Sequence, residues 1–491
     1  MLRQFKSVCL TLLWMVVFAS LPCVAYADSD GAADLTADME ISFSDSHNRD
    51  KITDGDMYTY TAFSEAETIT LSCEQDMAGL YILWNKIPGQ WSYTADGKHF
   101  TGGENGFLHE FIELSTAAKE LVIAIPAGGA EITDLYAFSA GTLPDWVQVW
   151  DPPCELADIL LFSTHADDEQ LFFAGILPYY AIERQVSVQV VYMTNHWDTV
   201  TRSHEQLNGL WTVGIRNYPV ISDFPDDPRS LGKNKEDAEN VLARAQSVYN
   251  EAHWVRFEVE MIRRFRPQVV VDHDFNGEYG HGAHMLNSEA LTMAVELCRA
   301  PEYDPQTVAQ YGVWDVPKTY FHLYEKNPIA LDWDTPYESL GGLTPFEVTQ
   351  MGFACHDSQQ DISLADWLAV EKAADIDTYS PCQYGLYRTT VGPDIAKNDL
   401  LEHITPYAVQ AAQREEAERR AREAMERRRQ LEEEKRRQEE AEQIQQEELI
   451  ASARAADVRL HTGLLILLLG FGLLCALVLI RRAVKKPSLV D

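Results

Sequence analysis

His165, Asp167, Asp168 and Glu169 sit together in the stretch Ser163-Thr164-His165-Ala166-Asp167-Asp168-Glu169. Far downstream, His281 and His284 fall in Gly277-Glu278-Tyr279-Gly280-His281-Gly282-Ala283-His284. Imidazoles and carboxylates are the donors of catalytic zinc, which takes three protein N/O ligands and keeps one position open. Such a zinc lowers the pKa of its water toward 7, and a carboxylate beside it can take the proton. The chemistry these residue types suit is metal-assisted hydrolysis.

Both clusters follow strands. Ile159-Leu160-Leu161-Phe162 precedes the first and Gln268-Val269-Val270-Val271-Asp272 the second, each an apolar run of buried-strand length. In an open α/β sheet ligands bind beyond the carboxyl ends of the strands. Between and around them strand and helix patterns alternate. Strands are expected at 156–164, 186–194 and 218–222, and helices at 169–183, 202–213, 250–265 and 285–300. That series predicts a parallel, Rossmann-like α/β sheet over 151–400. No GxGxxG follows the first strand, which excludes dinucleotide binding by that route.

The two motifs resemble those of the PIG-L/LmbE family of zinc-dependent N-deacetylases. That family carries His-Pro-Asp-Asp-Glu and a later His-x-x-His. The resemblance covers roughly the middle half of the chain. It implies zinc held by His165, Asp168 and His284, with Asp167 as general base. His281 would steady the oxyanion and protonate the departing amine, with Tyr279 donating to the same oxygen. Glu169 reads as a carboxylate favoured at a helix N-terminus. The chain departs from the pattern twice. Ala166 replaces the proline, and Ala283 replaces the acid that would orient His281, leaving Asp272, His273 or Asp274 as substitutes. Arg202 and Glu205 fall where the family has an Arg-x-x-Glu helix. Arg202 is a candidate substrate contact, as is Trp197, which with His196 lies on the loop after the second strand. Phe353 to Gln359 resembles a later family helix and reads as packing.

The remainder of the chain places this domain. The formal net charge of −36 argues against nucleic acid as partner. Residues 1–27 read as a signal peptide: Arg3 and Lys6, an apolar core from Leu10 to Ser20, then Ala25-Tyr26-Ala27. Residues 28–150 show short alternating strands separated by Gly, Asp, Asn and Pro, the pattern of a galactose-binding, discoidin-like β-sandwich. Trp84, Trp91, Tyr93 and Phe100 are candidates there for stacking on sugar. Residues 405–460 are rich in Glu, Arg, Gln and Ala with opposite charges four apart, predicting a charged helical stalk whose heptad seam is too poor for a strong coiled coil. A transmembrane helix is expected at 462–480. It is followed by Arg481, Arg482, Lys485 and Lys486 in a cytoplasmic tail, 481–491, which places the remainder outside. Cys355 with Cys382 is a possible disulfide.

The reading is a secreted, membrane-tethered zinc hydrolase that removes acetyl from an N-acetylglucosamine-type sugar or glycoconjugate. Its rivals are an amidase acting on a larger acyl group, a non-catalytic glycan-binding surface protein, and a stalk that recruits partners or self-associates.

Overall fold

The structure, a computed structural model, describes residues 31–232, 236–360 and 369–484. The expected signal peptide and most of the basic tail lie outside the described residues. The chain divides into two compact units, Met1–Ala408 and Val409–Asp491.

The first unit opens with seven antiparallel strands: β1 (Glu40–Phe43), β2 (Thr61–Phe63), β3 (Thr68–Lys86), β4 (Trp91–Ala95), β5 (Lys98–Gly102), β6 (His109–Ala124) and β7 (Ala130–Phe138). The expectation of a sandwich of short strands is modified. Hydrogen bonding runs through one continuous sheet ordered β2-β7-β3-β6-β4-β5, with β1 on β3. The long β3 and β6 bend at irregularities between Ser72 and Gly79. Thr68–Ser72 of β3 pairs with β1, and Gly79–Lys86 with β7. Bulges let one strand serve two halves of a curled sheet. The concave core holds Ile69, Leu71, Leu80, Ile82, Leu121, Ile123 and Ile132. Trp84, Trp91 and Tyr93 are buried in it and Phe100 packs against it, so the aromatics expected to meet sugar are core. The indole N–H groups of Trp84 and Trp91 both donate to Glu110 Oε2, at 3.0 and 2.9 Å. Alternation had located the strands but not the face that is covered.

The second sheet contains β8 (Ile159–Ser163), β9 (Val188–Tyr192), β10 (Val220–Ile221), β11 (Val269–Asp272), β12 (Lys318–His322), β13 (Pro328–Ala330) and β14 (Gln383–Thr389). Its order is β10-β9-β8-β11-β12-β14-β13. The first five are parallel, and β14 and β13 add an antiparallel edge, so the expected parallel sheet is a mixed one. Every residue of β8, β9, β11 and β12 is buried, as in a sheet covered on both faces. Leu161 and Val271 pack into one core, Leu160, Phe162 and Val270 into the other.

Six helices matter to the site: α1 (Asp168–Leu171), α2 (Val200–Thr212), α3 (Ala238–Tyr249), α4 (Glu251–Phe265), α5 (Gly282–Leu297) and α6 (Pro345–Phe353). The continuous helix expected over 169–183 is broken. Gly175, at φ 86°, interrupts it and abuts Trp333, and Tyr179–Glu183 is a wider turn. All described cysteines are free, Cys355 and Cys382 included.

α7 (Tyr407–Val484) is one helix of 78 residues. Glu416–Arg420 and Glu433–Arg437 pair one turn apart, at 2.7 and 2.8 Å, and Arg419 pairs with Glu416 and Glu423. Its C-terminal part is long and apolar enough to cross a membrane, with none of that window buried.

Candidate metal and hydrolytic centre

β8 and β11 are hydrogen-bonded neighbours, so the loops leaving their carboxyl ends meet. His165 and Asp168 come from the first loop and the start of α1, and His284 from the first turn of α5. His165 Nδ1 lies 3.1 Å from Asp168 Oδ2 and 3.1 Å from His284 Nε2, and those two atoms are 3.2 Å apart. Three ligands at a zinc–ligand distance of about 2.0–2.1 Å in tetrahedral geometry are separated by roughly 3.3 Å. The triangle therefore has the size and donor chemistry of a three-residue zinc site. Two overlapping sets of donors are close enough to share an ion: His165, His281 and His284, and Asp168, His273 and His284.

The field at this point favours a cation. Burial opposes a charge on His284, but the carboxylates of Asp168 and Glu278 outweigh it and push its pKa up to about 10. Glu278 is fully buried, yet His273, His284 and His322 hold its carboxyl well below the usual range. The Nδ1–H groups of His273 and His284 both donate to Glu278 Oε2 at 2.8 Å, and that of His322 donates to Oε1 at 2.6 Å. Fixing the proton of His284 on Nδ1 leaves Nε2 as a lone pair aimed into the triangle. Carboxylates that orient a ligating imidazole in this way raise its basicity. Sequence reading missed Glu278 and His322. The signal for Glu278 was present, an acid six residues before His284 inside the same motif.

Asp167 lies next to the triangle and lines, with His165, Asp168, Arg202, Tyr279 and His281, a cleft of about 460 Å³. Its backbone is in the left-handed region, φ 110°. For a residue other than glycine that conformation stores about 1–3 kcal/mol and clusters at functional sites. It is held because its N–H donates to Glu169 Oε2 at 3.0 Å and its carbonyl accepts from Gln170 and Leu171. Burial pushes its carboxyl up to about 7, against the pull of Arg202, whose Nη2 is 3.5 Å away. Glu169 thus does more than sit at a helix start; it also faces His356 at 3.4 Å.

His281 caps α5, its Nδ1 accepting from Ala283 N–H at 3.2 Å. That leaves Nε2 as its donor. Burial, with His165 and His284 alongside, holds it well below its usual pKa, so the ring is neutral. None of the three expected substitutes for the missing acid is hydrogen-bonded to it. Asp272 accepts from His273 N–H and Asn287, Asp274 from Asn276, and His273 donates to Glu278. Tyr279 is half-exposed at the cleft, with φ 47° and its ring 5.5 Å from that of His281.

Arg202 is in the cleft, where Nη2 donates to Ala166 O at 2.7 Å. Glu205 faces away and accepts from Ser358 N–H and Oγ–H at 2.7 and 2.6 Å. Trp197 lines a different, neighbouring cleft. His196 Nε2 accepts from Ala166 N–H at 3.3 Å, a bond proline could not make. Asp226, missed in the sequence, faces His165, His196 and Arg202 at 3.5–3.6 Å from the loop after β10.

Comparisons with known proteins bear on this centre. No family model matches. A 1D-myo-inositol 2-acetamido-2-deoxy-alpha-D-glucopyranoside deacetylase of Catenulispora acidiphila is 25% identical over 231 residues, 43% of this chain and 67% of that protein. One of Saccharopolyspora erythraea is 32% identical over 123 residues, 25% of this chain and 41% of that protein. The chain is thus similar to deacetylases of the PIG-L/LmbE family. Among solved structures, the N,N'-diacetylchitobiose deacetylase of Pyrococcus horikoshii aligns with 47% of the chain and 83% of its own, at 15% identity and a TM-score of 0.33. The matched stretches cover from 34% to 67% of the first curated relatives' own lengths. Against the PIG-L/LmbE pattern, the alanine at 166 turns a backbone amide into a donor for His196, and the alanine at 283 leaves His281 without a carboxylate partner.

Proposed function

We propose that this protein is a zinc-dependent N-deacetylase acting on an N-acetylglucosamine-type sugar. The observation that carries the reading is the 3.1–3.2 Å triangle of His165 Nδ1, Asp168 Oδ2 and His284 Nε2, with Asp167 beside it on one cleft wall. The relatives named as deacetylases of an acetamido sugar support the substrate class. Zinc bound by the three residues supplies Lewis acidity for the amide carbonyl and a more acidic water.

The chain's own groups perform the remaining steps. Asp167 takes the proton of the attacking water and passes it to the departing amine, its strained backbone fixing the carboxylate toward the cleft. His281, neutral, donates from Nε2 to the carbonyl oxygen as it gains negative charge, and Tyr279 supplies a hydroxyl on the same side. Arg202 balances Asp167 and ties the loop through Ala166 O. Glu278 keeps His284 in the right tautomer.

The apolar end of α7 and the basic residues after it support a single-pass anchor, with the enzyme outside the membrane. The test is acetate release from N-acetylglucosamine and its oligomers with and without chelator. Asp167→Ala should lose about 10²–10⁴-fold in rate while keeping zinc. Full activity in that variant, or no chelator sensitivity in the parent, overturns the proposal.

A further inference from the structure

We infer that the crevice between the curled N-terminal sheet and the catalytic domain is a subsite for the neighbouring sugars of an N-acetylated oligosaccharide. This rests on the deacetylase reading above and names its substrate as a chain of sugars rather than a single one. The crevice encloses about 790 Å³, more than the catalytic cleft, and both domains build it. Tyr58 and Tyr60 come from the segment leading into β2, and Trp197 from the loop after β9. They remain 56%, 45% and 39% exposed. Trp84, Trp91 and Tyr93 of the sheet are spent on its core, whereas these three leave aromatic surface in a concave site. Amphipathic rings in a cleft with a few placed polar groups are the lining that takes the apolar faces and hydroxyls of sugars. Asn85, Lys86 and Glu131 supply the polar wall, with Asn85 Nδ2 donating to Glu131 Oε2 at 2.6 Å. Glu131 and Asp198 outnumber the single Lys86, which disfavours a polyanionic chain and suits neutral acetamido sugars or their amine products.

Two bridges join the crevice to the catalytic cleft. Thr201 lines the first and Arg202 the second, and consecutive Cα atoms are about 3.8 Å apart. At the second bridge, Tyr58 OH donates to Asp357 Oδ2 at 3.2 Å, and Gln359, two residues on, lines the catalytic cleft. A chain whose acetamide lies over His165, Asp168 and His284 therefore has a lined path past Arg202.

The experiment compares the N-acetylglucosamine monomer and β-1,4 tetramer on the full-length protein. The parent should favour the tetramer at least about tenfold in kcat/KM, and Tyr60→Ala should cut the tetramer-to-monomer ratio about tenfold. In parallel, calorimetry with the tetramer is run on Asp167→Ala and on Asp167→Ala/Tyr60→Ala. The second should bind about tenfold more weakly, a readout that needs no turnover. Equal preference for the two sugars, or a Tyr60→Ala change that moves neither ratio nor affinity, overturns the subsite. Tyr60-dependent binding without acetate release from either sugar overturns the deacetylase reading and leaves the subsite standing.

Discussion

Two groups of buried histidines can be compared within the first unit. At the candidate metal centre His284 lies between Asp168 and Glu278, and its pKa is pushed up to about 10. Where the curled sheet meets the α/β part of the unit, His109 on β6 and His204 on α2 lie 2.8 Å apart, and among the described residues no carboxylate is hydrogen-bonded to either ring. Burial pushes His109 down to about 4 and His204 well below its usual value. Their partners define a directional chain. Thr133 faces His204 Nε2, His204 Nδ1–H donates to His109 Nε2, and His109 Nδ1–H donates to Gln148 Oε1. Every ring nitrogen has a partner in this chain, and burial keeps both rings neutral. Burial thus keeps His109 and His204 neutral, whereas at His284 the carboxylates of Asp168 and Glu278 outweigh it and favour a cation.

The largest effect expected on that contrast comes from exchanging the same residue in both places. His284→Gln should lose zinc, measured by elemental analysis, and with it detectable acetate release. His204→Gln should keep its zinc and lose about 1–3 kcal/mol of stability in denaturant titration. Loss of zinc from both variants, or from neither, would erase the distinction.

Acid should then separate the two groups without mutation. His109 binds its proton more weakly folded than unfolded, so the unfolded chain takes up more protons between about pH 6.5 and 4. The stability its neutral form provides is present above pH 6.5 and is lost as pH falls through that window, by about 3 kcal/mol. Thermal melts across the range in His109→Gln should show a flatter acid limb than the parent. An identical limb would mean the joint does not titrate there.

Glu278→Gln tests the other half, since it keeps the shape and removes the charge that orients His284. Metal affinity should weaken about 10–100-fold with the ligand residues untouched. Competition with a chelator of known affinity measures it, and unchanged affinity would reduce Glu278 to packing.

These residues also mark what the sequence could and could not convey. The apolar runs before His165 and before His281 located β8 and β11, and the order of motifs placed both at one sheet edge. The break after α1 was hidden because Leu171, Phe172 and Ile176 keep a helical spacing through Gly175. His322 was invisible because it reaches Glu278 from β12, across the sheet and 44 residues away. Trp197 follows the right strand but turns into the interdomain crevice, since Asn195 is tied to Phe224 and Thr199 to His196. Pairing between distant segments, rather than local periodicity, decided each of these.

The smallest effect concerns a third kind of histidine. His196 is buried a few ångströms from the centre, yet burial and Arg202 push it down to about 3, so it is neutral like His109. It uses that neutrality to accept Ala166 N–H. Restoring the family residue with Ala166→Pro deletes this donor and leaves His196 Nε2 without it, at about 1 kcal/mol. Proline's restriction of the unfolded chain returns about 0.4–1 kcal/mol where the backbone tolerates it. The single substitution should therefore be close to neutral or slightly destabilising. In a His196→Phe background, where the amide has no acceptor to lose, the same change should be stabilising. A double-mutant cycle reads the difference as a coupling of about 1 kcal/mol between positions 166 and 196. Additivity of the two changes would mean that the bond does not hold the loop, and that the alanine is merely tolerated there.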